Sequence, residues 1–269
     1  MSVVPNDRVR IRYRVGGKIR FLSHRDVARV IERAIRRAGV PVAYSQGYSP
    51  RPKLQYGLAL STGYESDGEY IEVELDADRV GIRNPEAIAS ALAECMPKGL
   101  DITAGSAVPT GSPSLQDSVE STTWEIHLAA GEPAADVLAQ RVGDLLAAEE
   151  YGIEIVRKGK QIREDLRPLL RELVVIPPGR SARTVLRAEL GTKPRSVRPA
   201  ELLETLGVTE PLLVRRTHQW IYSDGERREP IGLAQPSKGL NNDRRQQQQD
   251  SPDGAPQAED RRQPAGTQH

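Results

Sequence analysis

The residues best equipped for chemistry lie between Phe21 and Lys53, in the run FLSHRDVARVIERAIRRAGVPVAYSQGYSPRPK. His24 can serve as a general acid or base on a ribose hydroxyl or a leaving oxygen, because an imidazole changes charge near neutral pH. Arg25, Arg29 and Arg33 recur every four residues, a spacing that lines one helix face with guanidinium groups suited to phosphates. Downstream, the rings of Tyr44 and Tyr48 can stack on bases, Ser45 and Gln46 can hydrogen-bond, and Arg51 and Lys53 can meet phosphates. Together they point to RNA binding, with His24 the one candidate for catalysis. The plainer alternatives stay open: His24 as a surface residue of a first helical turn, and the tyrosines as rings folded back on the core.

These side chains need a helix and a stiff loop. Ser23 stands three residues before Asp26, ahead of the helical pattern Val27, Val30, Ile31, Ala34, Ile35 and Ala38, which is a capped helix start. Gly39 ends the helix and Pro41 prevents its resumption. The exposed face then carries Arg25, Arg29, Arg33, Arg36 and Arg37 against Glu32. In the loop, Gly47 permits a turn while Pro50 and Pro52 stiffen the chain on either side of Arg51.

The residues Phe21-Leu22-Ser23-His24, Asp26, Arg33-Ala34, Arg36-Arg37-Ala38, Val40-Pro41, Ala43 to Gly47 and Pro50-Arg51-Pro52, with Gly63, Glu65-Ser66 and Glu69 further on, resemble the DUF2344 family. The resemblance covers about residues 8 to 220, and Arg25 departs from it where an apolar residue is expected. It implies an accessory of radical SAM proteins, found beside or fused to them. The implied partner would carry an iron–sulfur cluster and S-adenosylmethionine. It assigns no reaction and carries over no catalytic residue.

Composition narrows the alternatives. The lone Cys95 excludes an intramolecular disulfide and a CxxC site, and leaves too few thiolates for an iron–sulfur cluster within these 269 residues. No two of His24, His127, His218 and His269 have metal-ligand spacing, so neither metal nor cofactor is expected in this chain. P-loop, GxGxxG, HExxH and GxSxG motifs are absent. The chain lacks a long apolar run and a signal-peptide pattern, so it is expected to be cytoplasmic and not to engage a membrane. A formal net charge of +1 hides segregation: residues 1–60 hold 13 Lys and Arg against 3 Asp and Glu, whereas residues 61–150 hold 4 against 18.

Arg8, Arg10, Arg12 and Arg14 alternate with Val9, Ile11, Tyr13 and Val15, the period of a half-buried strand. Further strands are expected at Leu54–Leu60, Ile71–Leu75 and Leu100–Val108, a polar turn over Ser61–Gly68, and a helix from Asn84-Pro85. If the first and third strands are neighbours, Glu72 and Glu74 neutralise the arginine stripe across the ladder. A second βαββαβ pattern follows, with strands near 124–128, 152–156, 169–176, 182–190 and 212–222. Its basic loops are Arg157–Lys160 and Gly179–Arg183. The expected fold is α+β: two ferredoxin-like (βαββαβ) units packed together, residues 1–109 and 119–230, joined by a linker at 110–118. Residues 231–269, rich in Gln, Pro and Gly, are expected to be a disordered tail. The favoured function is an RNA-binding or substrate-presenting accessory of a radical SAM protein acting in RNA modification. The alternatives are a metal-independent endoribonuclease resembling CRISPR repeat-processing nucleases, and a protein-interaction scaffold.

Overall fold

The arginine stripe forms strand β1 (Arg8–Val15), followed by a 3-10 turn, helix α1 (His24–Arg37), and strands β2 (Leu54–Tyr56) and β3 (Glu65–Glu74). Helix α2 (Pro85–Cys95), β4 (Leu100–Val108) and the short α3 (Leu115–Ser118) complete the first half. The second half runs β5 (Val119–Leu128), α4 (Ala135–Ala147), β6 (Gly152–Arg157), β7 (Lys160–Asp165), β8 (Leu170–Ile176), β9 (Val185–Gly191), α5 (Pro199–Thr205), β10 (Pro211–Ser223) and β11 (Glu226–Arg228). This computed structural model describes residues 7–129, 133–157, 159–178, 183–223 and 225–231. Among them, no helix is long and apolar enough to cross a membrane.

The architecture is mixed α+β around one nine-stranded sheet, ordered β4-β1-β3-β10-β5-β9-β8, with β2 on β3 and β11 on β10. One edge of β3 pairs with β1 along its length. The other pairs antiparallel with β2 through Ile71–Val73 and parallel with β10 through Glu65 and Ser66. That short parallel contact joins the halves into one sheet.

Alternation along the strands decides which face is covered. Val9, Ile11, Tyr13, Ile71 and Val73 point to one side, where they pack with Val27, Ile31 and Ile35 of α1 and Ile88 and Leu92 of α2. In the second half Trp124, Ile126, Leu186, Leu190 and Val214 pack in the same way with Leu138, Val142 and Leu145 of α4 and Leu202 and Leu203 of α5. A third, smaller cluster, Tyr70, Leu115, Val119 and Ile231, lies with Tyr70 on the opposite face of β3.

Several expectations need correction. β2 ends at Tyr56, and β3 begins at Glu65, six residues earlier than its apolar alternation indicates, so Glu65 to Gly68 is strand and not turn. Residues 110–118 are not an open linker, since they hold α3, and Leu115 is buried. Strand β7, unexpected from sequence, closes a separate two-stranded hairpin with β6. Ile231 is buried at 4% exposure, so the ordered chain extends past the expected boundary at Pro230. The rest of the expected tail lies outside the described residues, as do Lys158 and residues 179–182 of the two basic loops.

Candidate nucleic-acid interface

Helix α1 forms as its sequence dictates. The Ser23 hydroxyl accepts the Asp26 amide at 3.2 Å, and Val27, Ile31, Ala34 and Ile35 bury one face. Gly39, with φ of 66°, takes the left-handed conformation that releases the chain into the loop. Asp26 accepts from Ser23 and from Arg29, and these contacts hold its carboxyl below the usual range. The opposite face exposes Arg25, Arg29, Arg33, Arg36 and Arg37. Among the described residues only Arg29 of these five has an ion pair, with Asp26 at 3.1 Å between two exposed side chains. Such a pair is worth under about 1 kcal/mol, so the face remains cationic.

The loop is a closed tongue. Ser45 N–H donates to the Arg51 carbonyl at 2.8 Å, Arg51 N–H donates to Ser45 Oγ at 3.0 Å, and Tyr44 bridges to Pro52. Its tip, Gln46 to Pro50, is exposed, and Tyr48 stands at 105% exposure, a ring held clear of the protein. Gly47, at φ 129°, supplies the turn. Arg51 is exposed and, among the described residues, has no ion pair. Two expected contact residues fall away. Lys53 is bound to Glu74 at 2.7 Å, and the Tyr44 ring packs against the first core cluster.

His24 does not approach Tyr44. It opens α1, whereas the tongue follows the other end of the helix, and its ring meets Tyr56 edge-on at 5.2 Å. Both line a cleft with Tyr13, Arg20, Ser61 and Glu69 that leaves about 30 Å³ of solvent space, enough for a water or two. The Tyr56 hydroxyl is buried without a partner, and burial pushes its ionisation up, aided by Glu32. Burial also raises the Glu69 carboxyl, against the opposing pull of Arg216. Tyr13, Tyr56 and Glu69 were not singled out as site residues from sequence, since core-facing strand positions give no sign that a cleft opens beside them.

The arginine stripe of β1 is occupied. Arg10 lies opposite Glu72, and its Nε donates to that carboxylate at 3.0 Å, joined by Arg8 at 3.1 Å. Arg10 also donates to the Pro230 carbonyl, Arg12 pairs with Glu229 at 3.1 Å, and Arg14 pairs with Asp67 at 2.9 Å. The sheet's outer face continues in that manner through Arg187–Glu172, Arg215–Glu65 and Arg227–Glu189. Unpaired guanidinium groups are therefore concentrated on α1 and the tongue. Among the described residues, no three His, Cys, Asp or Glu side chains are grouped to hold a metal ion.

The model of the DUF2344 family, described as an uncharacterized protein conserved in bacteria, matches residues 8–199. The chain belongs to this family. No curated protein matches it. The DUF2344 match contains α1, the tongue and the His24 cleft. Arg216 and the segment at Glu229–Ile231 fall beyond its end.

Proposed function

We propose that this DUF2344 protein is an RNA-binding accessory that presents RNA to a radical SAM enzyme. One observation carries the RNA reading: α1 exposes five arginines, four of them without an ion pair among the described residues, while the sheet's arginines are matched by carboxylates. Unpaired cations release counterions when they meet phosphate, and paired ones must first give up a partner. The radical SAM partner is supported by the resemblance of the Phe21–Pro52 motifs, and its cluster and S-adenosylmethionine would belong to that partner. Two ferredoxin-like units are supported by the strand pairings, since β4-β1-β3-β2 and β10-β5-β9-β8 both follow the antiparallel order of a βαββαβ unit. On this reading the units share one sheet, and the β6–β7 hairpin is an insertion in the second.

A second reading is favoured by the His24 cleft, where an exposed imidazole stands beside Tyr56 and near a buried carboxylate. It would make the protein a metal-independent endoribonuclease with His24 as general base or acid. Purification from the native cell, with identification of bound protein and RNA, tests the first reading. RNA together with a radical SAM protein supports it, and a protein partner without RNA favours a scaffold. Cleavage of RNA by the purified protein in chelator, leaving a 2′,3′-cyclic phosphate and abolished by His24→Ala, would establish the nuclease instead.

A further inference from the structure

The cationic face of α1 is bracketed by two exposed aromatic rings. Phe21, two residues before the Ser23 cap, is 62% exposed, with the Arg20 guanidinium 4.8 Å from its ring centre. Tyr48, at the tip of the tongue beyond the helix's other end, is fully exposed. Neither belongs to a core cluster, and large rings are rarely left so bare without a use in binding. Between them the 14-residue helix spans about 21 Å, and Arg25, Arg29 and Arg33 step along it at about 6 Å per interval. That interval is of the order of the phosphate spacing along an extended single strand.

From this juxtaposition we infer that the ligand of α1 is a single-stranded RNA segment, lying along the arginine ladder with unpaired bases stacked on Phe21 at one end and Tyr48 at the other. The inference rests on the RNA-binding reading and narrows it. A duplex offers phosphates to the ladder but has no free base faces for the rings, and the deep, narrow major groove of A-form RNA does not admit side chains for reading. Stacking is tolerant of sequence because every base has a π-face, so this site selects strandedness before sequence. The two rings also define a footprint: a strand too short to reach from Phe21 to Tyr48 can use only one of them.

Fluorescence anisotropy with a labelled oligouridine of about eight nucleotides, against a blunt RNA duplex of about 16 base pairs, tests this directly. The single strand should bind roughly tenfold or more tightly than the duplex. Phe21→Ala and Tyr48→Ala should each weaken it by roughly fivefold or more, leaving duplex binding unchanged. Both residues are surface positions, so circular dichroism should show intact folds. If the duplex binds as tightly as the single strand, or neither aromatic substitution matters while Arg25→Gln/Arg29→Gln/Arg33→Gln abolishes binding, single-strand selection is wrong and RNA binding stands. If the full-length protein binds neither probe, both fall.

Discussion

Arg216 of β10 grips Glu69 of β3 at two points, Nε to Oε1 and Nη2 to Oε2, each at 2.9 Å, with the two residues only 2% and 4% exposed. The same guanidinium donates to the Leu58 and Ala59 carbonyls and lies 5.1 Å from the Trp124 ring centre. One side chain thus ties together the first half's sheet, the wall of the His24 cleft and the second half's core.

Removing that guanidinium should leave a buried carboxylate and two carbonyls without their partner. Arg216→Met is expected to cost about 3–5 kcal/mol in urea unfolding. Adding Glu69→Leu should recover much of the loss, because two apolar side chains in place of a buried ion pair are often neutral. A loss below about 1 kcal/mol for Arg216→Met alone would show that the clasp does not hold the halves together.

The segment Glu229–Ile231 is expected to matter in the same way. Glu229 accepts from Arg12 and the Tyr70 hydroxyl, Pro230 from Arg10, and Ile231 completes the third apolar cluster. A chain ended at Arg228 should be less stable than one ended at Ile231 by about 3 kcal/mol or more, combining one buried aliphatic side chain with hydrogen bonds to charged groups. Equal denaturant midpoints for the two truncations would contradict this.

These contacts explain what could be read from the sequence. The α1 cap, its apolar stripe and the Glu72 partner of Arg10 were legible, because each depends on local spacing or on alternation in adjacent strands. Strand β7 was not: in Lys160–Asp165 only Ile162 is apolar, and a hairpin outside the main sheet leaves no hydrophobic face to betray it. Nor was the start of β3, where Glu65, Ser66, Asp67 and Gly68 read as a turn until Arg20, Arg215 and Arg14 supply partners distant in sequence. For the site, the arginines and Tyr48 were legible. The capture of Lys53 by Glu74 and of Tyr44 by the core depended on the chain's return along β3.

Glu65 offers a test by pH. Its burial favours the neutral acid, but Arg215, the Gly17 amide and Arg20 together outweigh that and hold its carboxyl below the ordinary value of 4.5. Between the lowered folded value and the ordinary one, the unfolded chain binds more protons, so stability rises with pH through that window. The stabilisation is fully present above the ordinary value and is lost as pH falls through the folded one. Relative to wild type, Glu65→Gln should therefore be clearly destabilised at about pH 6 and much less so at about pH 3. A gap that does not change with pH would show that the charge is not what Arg215 and Arg20 recognise.

The arginine stripe and the helix should separate stability from binding. Arg10→Ala leaves Glu72, itself buried, without its principal partner, and is expected to cost about 3–5 kcal/mol of stability. RNA affinity per folded molecule should be unaffected, because that guanidinium is already engaged by Glu72 and Pro230.

The most direct test of the central claim is the salt dependence of RNA binding, measured from low to moderate salt for the wild-type protein and for Arg25→Gln/Arg29→Gln/Arg33→Gln, glutamine being nearly as good a helix former as arginine. The account predicts a steep wild-type slope that flattens by up to about three in the variant, one for each phosphate contact removed, with the thermal midpoint nearly unchanged. A wild-type protein that does not bind RNA, or a triple variant that binds with the wild-type slope, would contradict it.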